Sequence, residues 1–381
     1  MTEDDPLSNC VFVNDRQQLA DAATRWRRAP ELAVDTEFER TRTFFAKLAL
    51  VQLSDGETVW LVDPLAVEDL GQLWELLAEP STVKVLHSAS EDISLLHQLA
   101  GHPMLPLFDT QIAAGLCGLG ASLSYQDLAQ QICGVELSKS QTRSDWLQRP
   151  LEEAQLRYAA LDVLHLLPIK AELAGRLEAL GRTEWCAEDC ARQVADATAT
   201  ASEDADRIYR DFKWGWKLDG VGRGVLRELV AWREQRARKR DMPRRHVLGD
   251  NQIIELARQQ PTDVAKIADL AEINLHRGAP VIDEISAAIQ AGIERGRQDP
   301  PAPLDAPLDR EQRRVLKGLK KAVAERAEEL ELEPSLLAAK RDLLPLVRHG
   351  ELPERLTGWR REVIGDQLLE IREELMHAQE E

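Results

Sequence analysis

A chain of 381 residues exceeds what one hydrophobic core usually organises, so two or three domains are expected. Hydrophobic content of 44% beside charged content of 30% excludes disordered and membrane-embedded classes and leaves an ordinary globular protein. The net charge of -18 argues against a nucleic-acid partner, but it is unevenly spread, because Arg207 to Asp250 holds thirteen Lys or Arg against six Asp or Glu.

The opening MTEDDPLSNC is acidic and lacks the basic and apolar regions of a secretory signal, and no run reaches the roughly 18 apolar residues of a membrane span, so a cytoplasmic protein is expected. Cys10, Cys117, Cys133, Cys186 and Cys190 are odd in number and scattered, which suits a reducing compartment better than a disulfide framework. Cys186 and Cys190 have helix-neighbour spacing, and without further ligands nearby they read as plain thiols and not as a zinc site.

In chain order, 31–38, 46–55 and 58–65 read as strands rich in Leu and Val, and their close succession suggests an antiparallel meander. A helix is expected at 69–79, a strand at 82–88, a helix at 90–101 and a short strand at 107–110, the alternation of an α/β domain. From about residue 123 the pattern turns helical. The ATATASEDAD stretch at 197–206 marks a boundary, and a Pro-rich linker separates two later helical blocks. The expected division is 1–196 as an α/β domain, 203–296 as a first helical domain, 297–308 as linker and 309–381 as a second helical domain. WREQRARKRDMP and LKKAVAERAEELELEP, each a charged helix ending before Pro, give a weak repeat signal between the two blocks.

Asp35 and Glu37 stand two apart in a strand and so project from one face of the sheet. Two acids on an otherwise apolar strand repel each other and resist burial, which calls for a compensating cation; a hydrated strand end is the competing explanation. Asp92, in SASEDISLL, falls at a helix start, where an acid is an ordinary partner of the helix dipole and gains weight only from its company. Tyr158 and Asp162 are four apart on a helix and share a face, as surface hydrogen-bonded pairs do, yet Leu156, Ala159, Ala160, Leu161, Val163 and Leu164 make their surroundings apolar.

Taken together, these segments resemble the ribonuclease D family. VDTEFERTRTFFAKLALVQLSDG resembles its first exonuclease motif, LHSASEDI the second and RYAALDV the third, which is the four-acid signature of the proofreading-type exonuclease superfamily in its tyrosine subclass. The other subclass carries histidine five residues before the last Asp, where Arg157 stands in this sequence. The resemblance continues through KSQTRSDWLQRPL at 139–151 and over both helical blocks, which look like two helicase-and-ribonuclease-D C-terminal (HRDC) domains. It implies a ribonuclease H-like α/β exonuclease domain, with a mixed sheet and flanking helices, followed by two all-α domains.

The implied activity is 3'-to-5' hydrolysis of RNA from a free 3' end by two divalent ions, Mg2+ or Mn2+, releasing nucleoside 5'-monophosphates, with tRNA precursors as the leading substrate. Hard divalent ions take carboxylate oxygens and water, which four acids supply without His or Cys. By resemblance Asp35 bridges both ions, Glu37 and Asp162 serve the nucleophile side, Asp92 supports the other site through water, and Tyr158 orients or deprotonates the attacking water. A monomer without nucleotide cofactor or membrane attachment is expected. A DNA exonuclease and a non-catalytic RNA-binding module with the same fold are the alternatives.

Other residues read more plainly. Asp109 fits a helix cap or strand end better than a fifth ligand, and His165 a satisfied helix histidine. Lys139, Arg143 and Trp146 lie in a loop suited to touching RNA, with Trp146 equally suited to the core. Gly220, Gly222 and Gly224 follow no strand and suggest a turn, not a dinucleotide fingerprint, and the absence of a GxxxxGK[ST] loop removes the helicase reading that HRDC domains invite. Arg238, Lys239 and Arg240, in the basic stretch that runs from Arg233 to Arg245 beside Trp232, suggest a phosphate-contacting surface.

Overall fold

Six short apolar segments of the first half pair into one sheet. They are β1 (Cys10–Val13), β2 (Glu31–Glu39), β3 (Lys47–Ser54), β4 (Val59–Val62), β5 (Val83–Leu86) and β6 (Leu107–Asp109), in the order β1-β4-β3-β2-β5-β6. β3 and β4 run antiparallel across a short turn, whereas β1 with β4, β2 with β5 and β5 with β6 are parallel and need longer crossovers. Leu32, Ala33, Val34, Ala49, Leu50 and Val51 are fully buried, the pattern of strands covered on both faces. The computed structural model describes residues 5–138, 141, 144–198, 201–275 and 278–377.

Among the described residues, eight helices accompany the sheet: α1 (Arg16–Trp26), α2 (Gly71–Ala78), α3 (Ser90–Ala100), α4 (Thr110–Leu116), α5 (Tyr125–Cys133), α6 (Glu153–Leu164), α7 (Leu166–Ala179) and α8 (Thr183–Ala197). α6 packs on β2 and β4, α7 on β2 and β5, and α8 on β6. The helical run around Asp162 is split between α6 and α7 at His165, just before Pro168, which has no N–H to return to Leu164. β1 and α1 were not anticipated. Four residues of strand give too short a pattern, although Asp15 caps α1 by accepting from the Gln18 N–H at 2.8 Å.

The chain divides into two compact units, one of Met1–Glu39, Leu48–Thr198 and Leu308–Glu381, the other of Arg40–Lys47 and Ala199–Pro307. The second unit contains α9 (Ala201–Arg210), α10 (Gly220–Arg240), α11 (Arg244–Val247), α12 (Asp250–Gln259), α13 (Val264–Leu270) and α14 (Ala279–Gln298) around a core that includes Val225, Leu229, Ile253, Leu256, Ile285 and Ile289. Gly220, Gly222 and Gly224 do not form a turn but open α10, with Asp219 accepting from the Gly222 N–H at 2.7 Å. A Cβ on Gly224 would lie 2.3 Å from the Gly292 carbonyl oxygen, so the glycines serve the close approach of α10 to α14. Arg40–Lys47, the strap between β2 and β3, is held in this unit. The Phe44 and Phe45 N–H groups both donate to the Asp241 carboxylate at 3.0 Å, and the guanidinium groups of Arg238 and Arg244 lie 4.8 and 5.0 Å from the Phe44 ring centroid.

The last block, α15 (Arg310–Glu329), α16 (Pro334–Leu337), α17 (Lys340–His349) and α18 (Asp366–His377), belongs to the first unit. Arg360, fully buried, donates to both oxygens of Asp189 on α8 and to the Leu336 carbonyl, while Trp359 stacks on Trp185 with ring centroids 4.3 Å apart. Arg182 ties the same surfaces through the carbonyls of Leu116 and Leu330 at 2.7 and 2.6 Å. Among the described residues, no helix is long and apolar enough to cross a membrane.

Candidate active site

The C-terminal half of β2 presents Asp35 and Glu37, and α6, packed on β2, presents Tyr158 and Asp162 one turn apart. One carboxylate oxygen from each of Asp35, Glu37 and Asp162 lies within 4.8 Å of the other two, and all three residues are half-buried. α6 is placed by a capping box between Glu152 and Gln155. The segment before it is pinned by Arg149, which donates to both Asp63 oxygens at 2.7 and 2.8 Å and to the Ala49 carbonyl at 2.6 Å.

Withdrawal from water dominates the electrostatics. It pushes Asp162 up to about 7 and, together with the charges of Asp162 and Asp92, pushes Glu37 up to about 9. Asp35 is held well above the ordinary carboxylate range by burial and then by Asp162, Asp92 and Glu37, against which the Thr36 backbone N–H favours the charged form. Among the described residues, the groups that chiefly set the titration of these three acids include no Lys or Arg. Three desolvated, mutually repelling oxygen donors fit hard divalent ions, which take carboxylate oxygens and supply positive charge.

Asp92 lies in the first turn of α3, buried, and accepts from the Thr36 hydroxyl. It stands outside the set of three but close enough to raise Asp35 and Glu37, and burial pushes its own carboxyl to about 6. The turn that delivers it is built by Asp109, fully buried, whose carboxylate accepts from the N–H groups of Ser88 at 3.0 Å and Ala89 at 2.8 Å while capping α4 through Gln111. Ser88 there adopts a left-handed φ of 56°. Asp109 thus caps a helix, as its sequence context suggested, and it also fixes the entry to α3. That second role has no local sequence signal because its partners lie about twenty residues back.

The Tyr158 hydroxyl hydrogen-bonds the Asp162 carboxylate, which favours the charged form of that acid. Trp146 is buried behind it, with ring centroids 6.0 Å apart. Tyr125, which sequence reasoning passed over, donates to the Leu161 carbonyl at 2.8 Å, and burial and then Asp162 push its phenol up, which places its ring beside the acids. His165 caps the end of α6, and burial lowers its imidazole. Lys139 and Arg143 lie outside the described residues. In the basic stretch Arg238 stacks on Phe44, Lys239 and Arg240 are exposed, and Arg233, Arg236 and Arg244 are ion-paired with Asp250, Glu284 and Glu234.

The family model described as 3'-5' exonuclease matches residues 10–178, and the HRDC domain model matches residues 223–278. Ribonuclease D of Pseudomonas paraeruginosa is 41% identical over 94% of this chain and 96% of its own length. Ribonuclease D of Escherichia coli is 32% identical over 96% of this chain and 99% of its own. The crystal structure of Escherichia coli RNase D, an exoribonuclease involved in structured RNA processing, superposes with a TM-score of 0.86 at 32% identity, covering 96% of this chain and 99% of that one.

Proposed function

Because the chain belongs to the ribonuclease D family and is a 3'-to-5' exoribonuclease, we propose that Asp35, Glu37, Asp92 and Asp162 hold two divalent ions, Mg2+ or Mn2+, and that nucleoside 5'-monophosphates are released from RNA 3' ends. The observation that carries this is the convergence of Asp35, Glu37 and Asp162 within 4.8 Å, with no Lys or Arg of the described residues among the groups that chiefly set their titration. Ions bound there would stabilise charge on the attacking and leaving oxygens of the phosphodiester. Asp35, Glu37 and Asp162 form the near set of donors, and Thr36 holds Asp92 at the edge of it. With its proton committed to Asp162, the Tyr158 Oη keeps lone pairs that accept a hydrogen bond from water and turn that water toward phosphorus. Trp146 backs the tyrosine ring and keeps it on this face.

The substrate class is structured RNA with a free 3' end, tRNA precursors first, a reading supported by the family and by the role ascribed to the Escherichia coli relative. Lys139, Arg143, Arg238, Lys239 and Arg240 are proposed to serve RNA, and the exposure of Lys239 and Arg240 supports a phosphate contact there, whereas Trp146, buried against Tyr158, takes the core role that its sequence context also allowed. We read residues 1–196 as the exonuclease domain, 203–296 as the first HRDC domain, 297–308 as linker and 309–381 as a second HRDC domain. Support for the second comes from a constant displacement of 90 residues: α10, α11 and α12 begin at Gly220, Arg244 and Asp250, and α15, α16 and α17 at Arg310, Pro334 and Lys340. At that displacement buried Val225, Leu226, Leu229, Ile253 and Leu256 meet buried Val315, Leu316, Leu319, Leu343 and Leu346.

Labelled single-stranded RNA and DNA, incubated with Mg2+ or with chelator, test the reading. Stepwise shortening of RNA from the 3' end to mononucleotides, only with metal, is expected. Shortening in chelator contradicts the metal proposal, and equal rates on DNA contradict the RNA preference.

A further inference from the structure

The exposed large hydrophobic side chains of the described residues are mostly scattered aliphatics. The two aromatic ones stand together, Trp214 at 57% and Trp216 at 36% exposed. They belong to the palindromic run Lys213-Trp214-Gly215-Trp216-Lys217 in the second unit. We propose that this run is a stacking platform for unpaired bases of single-stranded RNA, with Lys213 and Lys217 serving the adjoining phosphates. The identity of the nucleic acid rests on the exoribonuclease reading, whereas the platform uses none of the acids and none of Arg238–Arg240.

The platform is rigid. Trp214 has a left-handed φ of 68°, a region that a bulky residue enters only under constraint, and the Lys217 N–H returns to the Trp214 carbonyl at 3.0 Å in a single 3-10 turn. Gly215 anchors it: a Cβ there would lie 2.5 Å from Leu304 Cδ1 and 3.1 Å from Leu226 Cδ2, so the backbone between the indoles is seated on the core. Packing fixes the turn, yet both rings stay in solvent.

Charge identifies the occupant. Lys217 Nζ lies 4.4 Å from the Trp214 ring centroid and 5.3 Å from that of Trp216, which puts one ammonium beside two π-faces, and Lys213, next to Trp214 in the chain, is exposed. Beside Trp214 a groove of about 380 Å³ is floored by Ile254 and edged by Asn251, Lys217 and Arg258. Glu255 in the same wall is ion-paired with Arg258 at 2.5 Å, so its charge is answered within the groove. Flat apolar rings flanked by cations suit the nucleobase and phosphate of a single strand, because every base offers a π-face and each nucleotide a negative charge. In a chain with net charge -18 this is a local reversal of sign. A folded protein surface would find exposed lysines on both flanks of a small aromatic patch, a poor match for an apolar interface core.

The test is fluorescence anisotropy of a labelled single-stranded RNA with the full-length chain in chelator, where the RNA stays intact. Trp214→Ala and Trp216→Ala are each expected to weaken binding about 5- to 150-fold, the span for loss of one stacked base, and Trp214→Phe to restore most of it. Replacing the bases by abasic residues should weaken the parent by a similar factor and leave Trp214→Ala nearly indifferent, a comparison that needs no judgement about folding of the variant. Lys213→Gln and Lys217→Gln should each flatten the salt dependence by about 0.7 in slope. Binding within twofold of the parent for both alanine variants, or equal losses on blunt duplex and single strand, overturns the platform. A parent that binds through these rings but shortens no RNA with Mg2+ overturns the exoribonuclease reading instead and leaves the platform standing.

Discussion

Asp189 and Asp35 are carboxylates of the same unit, both withdrawn from water, and the protein treats them in opposite ways. Asp189 receives two bonds from Arg360 and one from the Trp359 indole N–H at 3.2 Å, so its charge is answered from within the fold. Asp35 faces Glu37, Asp92 and Asp162, and among the described residues the principal groups acting on it include no Lys or Arg. A buried charge with its counter-charge is architecture. One set against like charges costs stability, and that cost persists only where something outside the chain offsets it.

The sharpest break of this comparison is Asp35→Asn. Hydrolysis of RNA is expected to fall below detection in single-turnover assays, while the metal-free protein melts at a higher temperature than the parent because one repelling charge is gone. A lower melting temperature would show that the parent charge was compensated after all. Next comes Tyr158→Phe, which keeps the ring against Trp146 and removes only the hydroxyl. kcat should drop roughly 10²- to 10⁴-fold with RNA and metal affinity little changed; weakened RNA binding at unchanged chemistry would reassign the tyrosine to substrate packing.

On the compensated side, Arg360→Met leaves Asp189 buried without its partner and should destabilise the first unit by about 3–5 kcal/mol in urea unfolding. A change near zero would mean that Trp359 alone satisfies Asp189. The smallest effect is with pH. Unfolded acids titrate near 4, whereas Asp162 and Glu37 titrate at about 7 and about 9 in the fold. The folded state therefore holds more protons between those values, and metal-free stability should decline as pH rises from about 4 to about 9. Melting curves across that range, in chelator and in Mg2+, check this. Stability rising with pH in chelator would refute it, and Mg2+ should narrow the decline most at the alkaline end.

Sequence alone exposed the acids because their signals are local: two residues apart on a strand, four apart on a helix. β2 to β6 were legible for the same reason, as Leu and Val runs between turn residues. What stayed hidden depends on distant partners. Asp241 grips the backbone of Phe44, 197 residues away, and nothing near either residue announces the other. The basic stretch was legible as charge and opaque as function, because a count cannot separate Arg233, spent on Asp250, from exposed Arg240. Trp214 and Trp216 were overlooked for a related reason: in a sequence a tryptophan reads as core, and only the packing of Gly215 shows that these two face outward.

The strap has a consequence for anyone who dissects the molecule. The chain passes between its two units four times, at 39/40, 47/48, 198/199 and 307/308, so the smaller unit is laced in and not simply appended. A fragment cut at 203 and 296 carries Arg238, Asp241 and Arg244 without the peptide they clasp, and the remaining chain keeps a strap with nothing to lie on. Binding or melting data from such pieces would describe two half-tied knots. A faithful excision needs a rearranged chain in which Glu39 is rejoined to Leu48 by a short turn and Arg40–Lys47 is spliced onto the helical block by its own tether.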